Sequence, residues 1–261
     1  MADPATDARV LREQAFHDER FGSDADEGRD RFYDHVDDAV AALDASTAWF
    51  RPGHRVLELG CGVNSVGWTL AARGVDVVAI DISPVAVDQT MAAANKRGVT
   101  NFRAEVMNAE ALEFDTDSFD GVVGTGILHH LDLAPALEDI ARVLRPGGRA
   151  VFYEPLGHNP AINAFRNRTP EMRSADEHPL LRRDLQHART VFGRADASMH
   201  ECVALAAALM PSGIGDRVRP ALRAVDRVML RLPGVRWMGW ITVVTLTDPK
   251  NPAVQPVSHV T

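Results

Sequence analysis

The sequence predicts a doubly wound α/β protein, and three observations carry that expectation. An apolar strand-type run, Arg55-Val-Leu-Glu-Leu, ends in the glycine turn Gly60-Cys-Gly62. A helical pattern follows over 65–73, and a second apolar run over 75–80 stops on Asp81, 21 positions after Gly60. Beyond it, strand-type and helix-type segments keep alternating, which is the pattern of a parallel sheet with right-handed crossovers. A glycine turn between strand and helix lets backbone approach a ligand, and an acid about 20 residues on can hold ribose hydroxyls.

The elements follow in order. Residues 8–21 are expected to form a helix, marked by Val10, Phe16 and Phe21. A polar break over 22–28 separates it from a second helix over 29–50, where Phe32, Val36, Ala39, Val40, Leu43 and Phe50 fall near helical spacing. Both precede the first strand, so residues 1–50 read as a helical cover over the mouth of the sheet. The α/β core is expected over 51–155, with strands at 55–59, 75–80, 102–106, 119–125 and 149–153. Ser83 and Pro84 open a helix as N-cap and first helical residue, running to Lys96. Another helix is expected over 135–144, and 145–148 (Arg-Pro-Gly-Gly) reads as a turn. After Pro155 the rhythm breaks. Residues 156–236 read as a helical insertion, polar at first, then apolar and helical over 198–209, then amphipathic over 216–232. A strand over 240–247 and a tail complete a seven-stranded, mostly parallel sheet, with 237–261 returning to it.

Composition bounds the function. A hydrophobic share of 46% and a charged share of 25% are ordinary globular values. No uninterrupted apolar run reaches the roughly 18 residues of a membrane span. Cys61 and Cys202 stand far apart, the first inside the glycine turn, which points to reduced thiols. With an acidic, polar beginning unlike a signal peptide, a cytoplasmic location is expected. The net charge of −8 argues against nucleic acid as a partner. It is also uneven: residues 1–150 carry 26 acidic and 14 basic side chains, whereas 151–261 carry 10 and 14. No residues show zinc-ligand spacing, and no metal is expected.

The glycine turn narrows the ligand. A dinucleotide fingerprint needs a third glycine where this chain has Ser65, and Gly67 comes two positions late. Glu58, just before the turn, disfavours a pyrophosphate and favours a ligand with a positive amino group. S-adenosylmethionine has that amino group, no phosphate, and a ribose for Asp81. Five segments in order then resemble the class I S-adenosylmethionine-dependent methyltransferases of the small-molecule type, and are similar to the ubiquinone/menaquinone-biosynthesis enzymes. They are Val56-Leu-Glu-Leu-Gly-Cys-Gly, Val78-Ala-Ile-Asp-Ile-Ser-Pro, Asn108-Ala-Glu-Ala-Leu-Glu-Phe, Phe119-Asp-Gly-Val-Val with Leu128-His-His-Leu, and Leu144-Arg-Pro-Gly-Gly-Arg. Two residues depart from the family pattern: Asn64 replaces the last glycine of the turn, and Asn108 replaces an aspartate beside adenine. Asparagine tolerates positive φ and its amide oxygen still accepts a hydrogen bond.

The resemblance implies Asp81 at the ribose hydroxyls and Glu58 at the methionine amino group or orienting the loop. It implies Gly60, Cys61 and Gly62 approaching by backbone, Ile82 packing on adenine, Asn108 and Ala109 at the adenine edge, and Thr125 and Gly126 at the carboxyl edge of the sheet. Methyl transfer is an in-line displacement, so alignment supplies much of the rate. Where a base is needed, His130 after the fourth strand, Glu154 ending the fifth, and His17 with Asp18 on the N-terminal cover are the candidates; His158 and His178 rank behind them. O-methylation of a small acceptor, with a greasy pocket beside 202–211, is the expected reaction, in secondary or cofactor metabolism. C-methylation of a quinone-like or isoprenoid carbon comes second. A non-catalytic binding module and an NAD-binding oxidoreductase are the readings from other classes. The arginine-rich helix 216–232 is expected to be a lid or a homodimer surface, with contact to an anionic membrane surface as the lesser alternative.

Overall fold

The structure, a computed structural model, describes residues 4–22, 36–170 and 173–250. The expected break after Gly22, the start of the second helix with Phe32, and the end of the tail lie outside the described residues. Helix α1 spans Pro4–Gly22 and α2 spans Asp37–Thr47. The core then alternates: β1 (Arg55–Leu59), α3 (Gly67–Ala72), β2 (Asp76–Asp81), α4 (Pro84–Lys96), β3 (Phe102–Val106), β4 (Phe119–Thr125), α5 (Leu133–Val143) and β5 (Leu144–Pro155). Helices α6 (Pro160–Arg168) and α7 (Arg182–Val191), strand β6 (Phe192–His200), α8 (Ser212–Met229) and β7 (Ile241–Pro249) complete the described chain.

The seven strands form one sheet in the order β3-β2-β1-β4-β5-β7-β6. Strands β1 to β5 are parallel, and β7 runs antiparallel to both β5 and β6. Both faces are covered. Along β1, Leu57 and Leu59 pack with Val78, Ile80 and Ile140 on one side, while Val56 packs with Val77, Val123 and Leu70 on the other. That period-two alternation with both faces apolar explains the continuous Val/Leu/Ile runs. The chain order reverses between β1 and β4, the crevice where α/β sheets of this kind bind ligands.

Element boundaries agree closely for β1, α4, β3 and β4, because caps and glycines mark them. Ser83 caps α4 by accepting from the Ala86 N–H at 3.2 Å. Three segments differ from expectation. The expected turn 145–148 is an irregularity inside β5, where pairing passes from Phe119↔Leu144 directly to Gly121↔Arg149. The stretch 198–209, expected to be helical, is the end of β6 followed by a 3-10 segment, Ala204–Leu209. Glu201 separates the two at φ 51°, a conformation no helix continues through. Strand β6 escaped the sequence reading because it is an edge strand with an exposed polar face carrying Arg194 and Asp196. Within the polar stretch 156–190, α6 and α7 form, with Asn159 capping α6.

Helix α8 begins and ends earlier than expected and is mostly solvent-exposed, with Val225 and Val228 open along its expected apolar face and Leu232 exposed beyond its end. Asp226, its buried carboxylate, accepts from the N–H groups of Cys202, Val203 and Ala204. Arg223 bridges to Asp37 and Asp38 on α2. Among the described residues, no helix is long and apolar enough to cross a membrane.

Candidate active site

The carboxyl ends of β1, β2, β4 and β5 open on one cavity of about 820 Å³. Its floor at one end is the turn after β1. Gly60 and Gly62 sit at φ 63° and 49°, the left-handed region that a side chain disfavours. Asn64 is not in that region and is exposed, so its tolerance of positive φ is not called upon. Asp81 ends β2 and holds the turn from the side: Oδ2 accepts the Gly62 N–H at 2.8 Å and Oδ1 accepts the Ser83 N–H at 2.9 Å. Each carboxylate oxygen keeps a further lone pair for a hydroxyl donor. Burial raises the Asp81 pKa, opposed by those same N–H groups.

Glu58 meets the loop rather than the cavity. It is buried, does not line the cavity, and lies behind the turn. Its Oε1 accepts the Val66 N–H at 2.8 Å, and its Oε2 accepts the Gly67 N–H at 3.1 Å and the Ser65 hydroxyl. Burial lifts its pKa to about 7 against those bonds. Its contact is therefore with the start of α3, and of its two expected roles the geometry provides loop orientation. This also bears on the ligand. In a dinucleotide fold the N–H groups opening this helix face the pyrophosphate; here a carboxylate takes them.

Cys61 lines the cavity, yet its N–H donates to Ile80 O at 3.1 Å and burial pushes its thiol well above the usual range. The N–H is thus not available to a ligand. Ile82, Asn108 and Ala109 line the same end. The Asn108 side-chain oxygen accepts the Glu110 N–H at 3.0 Å, and the Ala109 N–H donates to no described residue. Thr125 and Gly126 face the middle of the cavity, with Gly126 at φ 65°.

Helix α1 closes the cavity over this turn. Phe21 lies over Gly62, the Asp18 carboxylate accepts the Ser83 hydroxyl, and Gln89 donates to Phe21 O at 2.9 Å. Asp18, expected to orient His17, is thus tied to the start of α4. The inner face of α1 is polar: Arg9, Glu13 and His17 recur every four residues and line the cavity. Arg9 pairs with Glu110 and donates to His130 O at 2.9 Å.

The other end holds the histidines. A 3-10 turn, Leu128–His130, follows β4 and buries both His129 and His130 against the cavity. Glu154, a candidate base from its place at the end of the fifth strand, is fully buried and does not line the cavity. Its Oε1 accepts the N–H groups of Ile127 and Leu128 at 2.9 and 2.8 Å, and its Oε2 meets His129 Nδ1 at 2.7 Å. Burial raises its pKa to about 7 and lowers that of His129 to about 4. It positions the turn and His129 rather than touching a ligand. His130 Nδ1 lies 3.1 Å from Glu13 Oε2. Burial pushes Glu13 up, but its contacts to His130, His17 and Ser174 prevail and hold it well below the usual carboxylate range. Burial lowers the His130 pKa against the pull of Glu13. His17 packs edge-on to His130, ring centroids 5.0 Å apart, and stacks on Phe21. Its Nδ1 is buried without a partner. His158 and His178 do not line this cavity. Leu205, Ala206, Leu209, Ile162 and Phe165 form an apolar wall near the mouth.

Sequence reasoning missed Arg9, Glu13 and Glu177 as lining residues, and it placed His129 beside His130 in the right region after the fourth strand without giving it a role. The available signal was the spacing of Arg9, Glu13 and His17, one polar face on a helix read by its apolar markers.

Residues 56–148 match the family described as Methyltransferase domain. An uncharacterized methyltransferase of Mycobacterium tuberculosis is 39% identical over 103 residues, covering 39% of this chain and 40% of that protein. A demethylmenaquinone methyltransferase of Clavibacter sepedonicus is 36% identical over 105 residues, covering 39% of this chain and 41% of that protein. The chain thus matches about two fifths of the length of these relatives. Among solved structures, phosphoethanolamine N-methyltransferase 2 of Haemonchus contortus superposes with a TM-score of 0.59 at 16% identity, covering 80% of this chain and 53% of that one. That likeness shows the fold: a seven-stranded, mostly parallel, Rossmann-like sheet.

Proposed function

We propose that this chain, whose domain match and fold are those of a class I S-adenosylmethionine-dependent methyltransferase, transfers a methyl group from that cofactor to oxygen on a small organic acceptor. One observation carries the reading: a single cavity runs from the glycine turn and Asp81 to the histidines and the apolar wall, so donor and acceptor ends are continuous. Asp81 would hold the ribose hydroxyls, with Gly60 and Gly62 beside it. Ile82 and the Ala109 N–H, which no described residue accepts, would meet adenine, with Asn108, Thr125 and Gly126 completing the bed. When bound, the cofactor supplies an electrophilic methyl carbon. The chain's own contribution is alignment of an acceptor in a closed site, worth several kcal/mol of the barrier.

We assign the acceptor's heteroatom to His130. Glu13 holds its Nδ1, which leaves Nε2, a nitrogen with no hydrogen bond to a described residue, for the acceptor. That base-and-orienter pairing is the one general-base catalysis requires. Glu58 and Glu154 act by positioning the loops that bear the ligands. His17 walls the site and supports His130. The apolar wall favours an acceptor with an apolar body, and it keeps C-methylation of a quinone-like or isoprenoid acceptor as the second reading. Incubation with methyl-labelled cofactor and a panel of phenols, quinols and prenyl compounds, followed by mass spectrometry, tests the proposal. Label on oxygen is expected. Label on carbon would establish the second reading, and cofactor binding without any product would leave a non-catalytic binding module.

A further inference from the structure

The histidine end of the cavity carries an arrangement that methyl transfer does not itself demand. His129 and His130 are adjacent, with ring centroids 4.2 Å apart. Each has its Nδ1 facing a buried carboxylate: Glu154 at 2.7 Å for His129 and Glu13 at 3.1 Å for His130. Each therefore has its Nε2 left over. The loop that follows is fastened alongside, since the His178 N–H donates to His129 O at 2.8 Å. That bond brings the neighbouring Glu177 to the cavity, where its carboxylate makes no hydrogen bond to a described residue. One ligand atom from each of His129, His130 and Glu177 lies within 4.8 Å of the other two. Metal–ligand bonds of about 2.1 Å in tetrahedral geometry place ligand atoms roughly 3.4 Å apart, so small side-chain rotations close the set.

We infer that His129, His130 and Glu177 bind a divalent first-row transition-metal ion, with Glu154 and Glu13 as the carboxylates that orient its two imidazoles. The pattern of a ligating histidine whose other ring nitrogen is held by a carboxylate is characteristic of metal sites. Two imidazoles and one carboxylate suit zinc, iron, cobalt, nickel or manganese rather than magnesium or calcium, which prefer oxygen donors. Three protein ligands leave a position open to the cavity. A second trio, Glu13, His17 and His130, has similar spacing. It is the weaker set, because His17 Nδ1 is buried without the partner a ligating histidine normally has. Resting on the proposed function, the acceptor's oxygen would take the open position; with Nε2 on the ion, His130 would serve as a ligand rather than as the base, and the hydroxyl, acidified by the ion, would lose its proton to water before methyl transfer.

The test uses the untagged full chain, stripped with a chelator and titrated with Co²⁺ while visible absorbance is followed, with Zn²⁺ displacement as a check. One equivalent of Co²⁺ per chain is expected. Glu177→Gln and His129→Asn should each weaken uptake at least tenfold. Glu154→Gln should weaken it by about 10–100-fold, the effect of losing an orienting carboxylate, whereas His17→Gln should weaken it less than either ligand variant. Far-ultraviolet circular dichroism of the same preparations reports whether each variant is folded; Glu177 lies on a partly exposed loop, so its variant decides if Glu154→Gln fails to fold. No saturable Co²⁺ uptake, or uptake indifferent to Glu177→Gln and His129→Asn, overturns the inference, as does loss in His17→Gln with retention in Glu177→Gln. Co²⁺ uptake without S-adenosylhomocysteine binding would instead remove the proposed function and leave the metal site standing.

Discussion

The two ends of the cavity are built on different principles. The cofactor end stands on strand termini: Asp81 pairs with Val106 and Thr125 with Tyr153, Gly60 directly follows the last residue of β1, and buried carboxylates bind the backbone around them. The acceptor end is assembled from α1, the 3-10 turn after β4, the loop carrying Glu177 and the segment around Leu209, which are far apart in sequence. Rigid elements preserve a shared ligand, while loops and covering helices allow the second substrate to vary on the same fold. The family match over residues 56–148 takes in the strand-borne cofactor end and, of the acceptor end, the 3-10 turn after β4.

That contrast predicts where substitutions act. The largest effect is expected at Glu58. Glu58→Ala leaves the Val66 and Gly67 N–H groups and the Ser65 hydroxyl without a buried acceptor. At about 1–3 kcal/mol for each unsatisfied group, urea denaturation should show a loss of at least 3 kcal/mol. An equally stable variant would mean the helix start does not depend on that carboxylate. Asp81→Ala should leave the fold intact but weaken S-adenosylhomocysteine binding by about 1–3 kcal/mol in calorimetry; unchanged affinity would refute the ribose role.

A pH effect comes next. Burial raises Glu58 to about 7 and Glu201 to about 8 from an ordinary carboxyl value of 4.5. The folded state therefore keeps protons that the unfolded state has released. The stability from these groups is complete below about pH 4.5 and declines as pH rises through 7 to 8. Glu201→Gln should flatten the upper part of that decline in thermal melts, and Glu58→Gln only the part below about pH 7. A decline unchanged in both variants would contradict the assignment. The smallest effect on folding is expected at the cavity mouth. Leu209 is 71% exposed, so Leu209→Asn should change stability by less than about 0.5 kcal/mol, while raising KM for an apolar acceptor and leaving cofactor affinity alone. A change in cofactor affinity would show that the two ends are not independent.

The same division governed how much the sequence revealed. Strands β1 to β4 and helix α4 were legible because apolar runs, glycines, Ser83 and Pro84 encode them locally. Strand β6 was not: its residues are polar on one face, and its pairing with β7 is a long-range contact that no local pattern announces. At the site, Asp81 and the glycines stand at strand ends that the sequence fixes in order. Glu58 and Glu154 have the acidic type that suggests chemistry, yet both point into the protein and hold backbone N–H groups. Glu13, His129 and Glu177 converge only after α1 and the loop before α7 have folded over the sheet, so spacing alone does not bring them together.

The central claim is that Glu58 closes the helix start to a pyrophosphate while Asp81 and the glycine turn stay open to a nucleoside. Calorimetric titration of the full chain with S-adenosylhomocysteine, and in parallel with NAD, tests it most directly. Saturable binding of S-adenosylhomocysteine with no heat from NAD at millimolar concentration is the predicted result. Binding of NAD with none of S-adenosylhomocysteine would contradict the account.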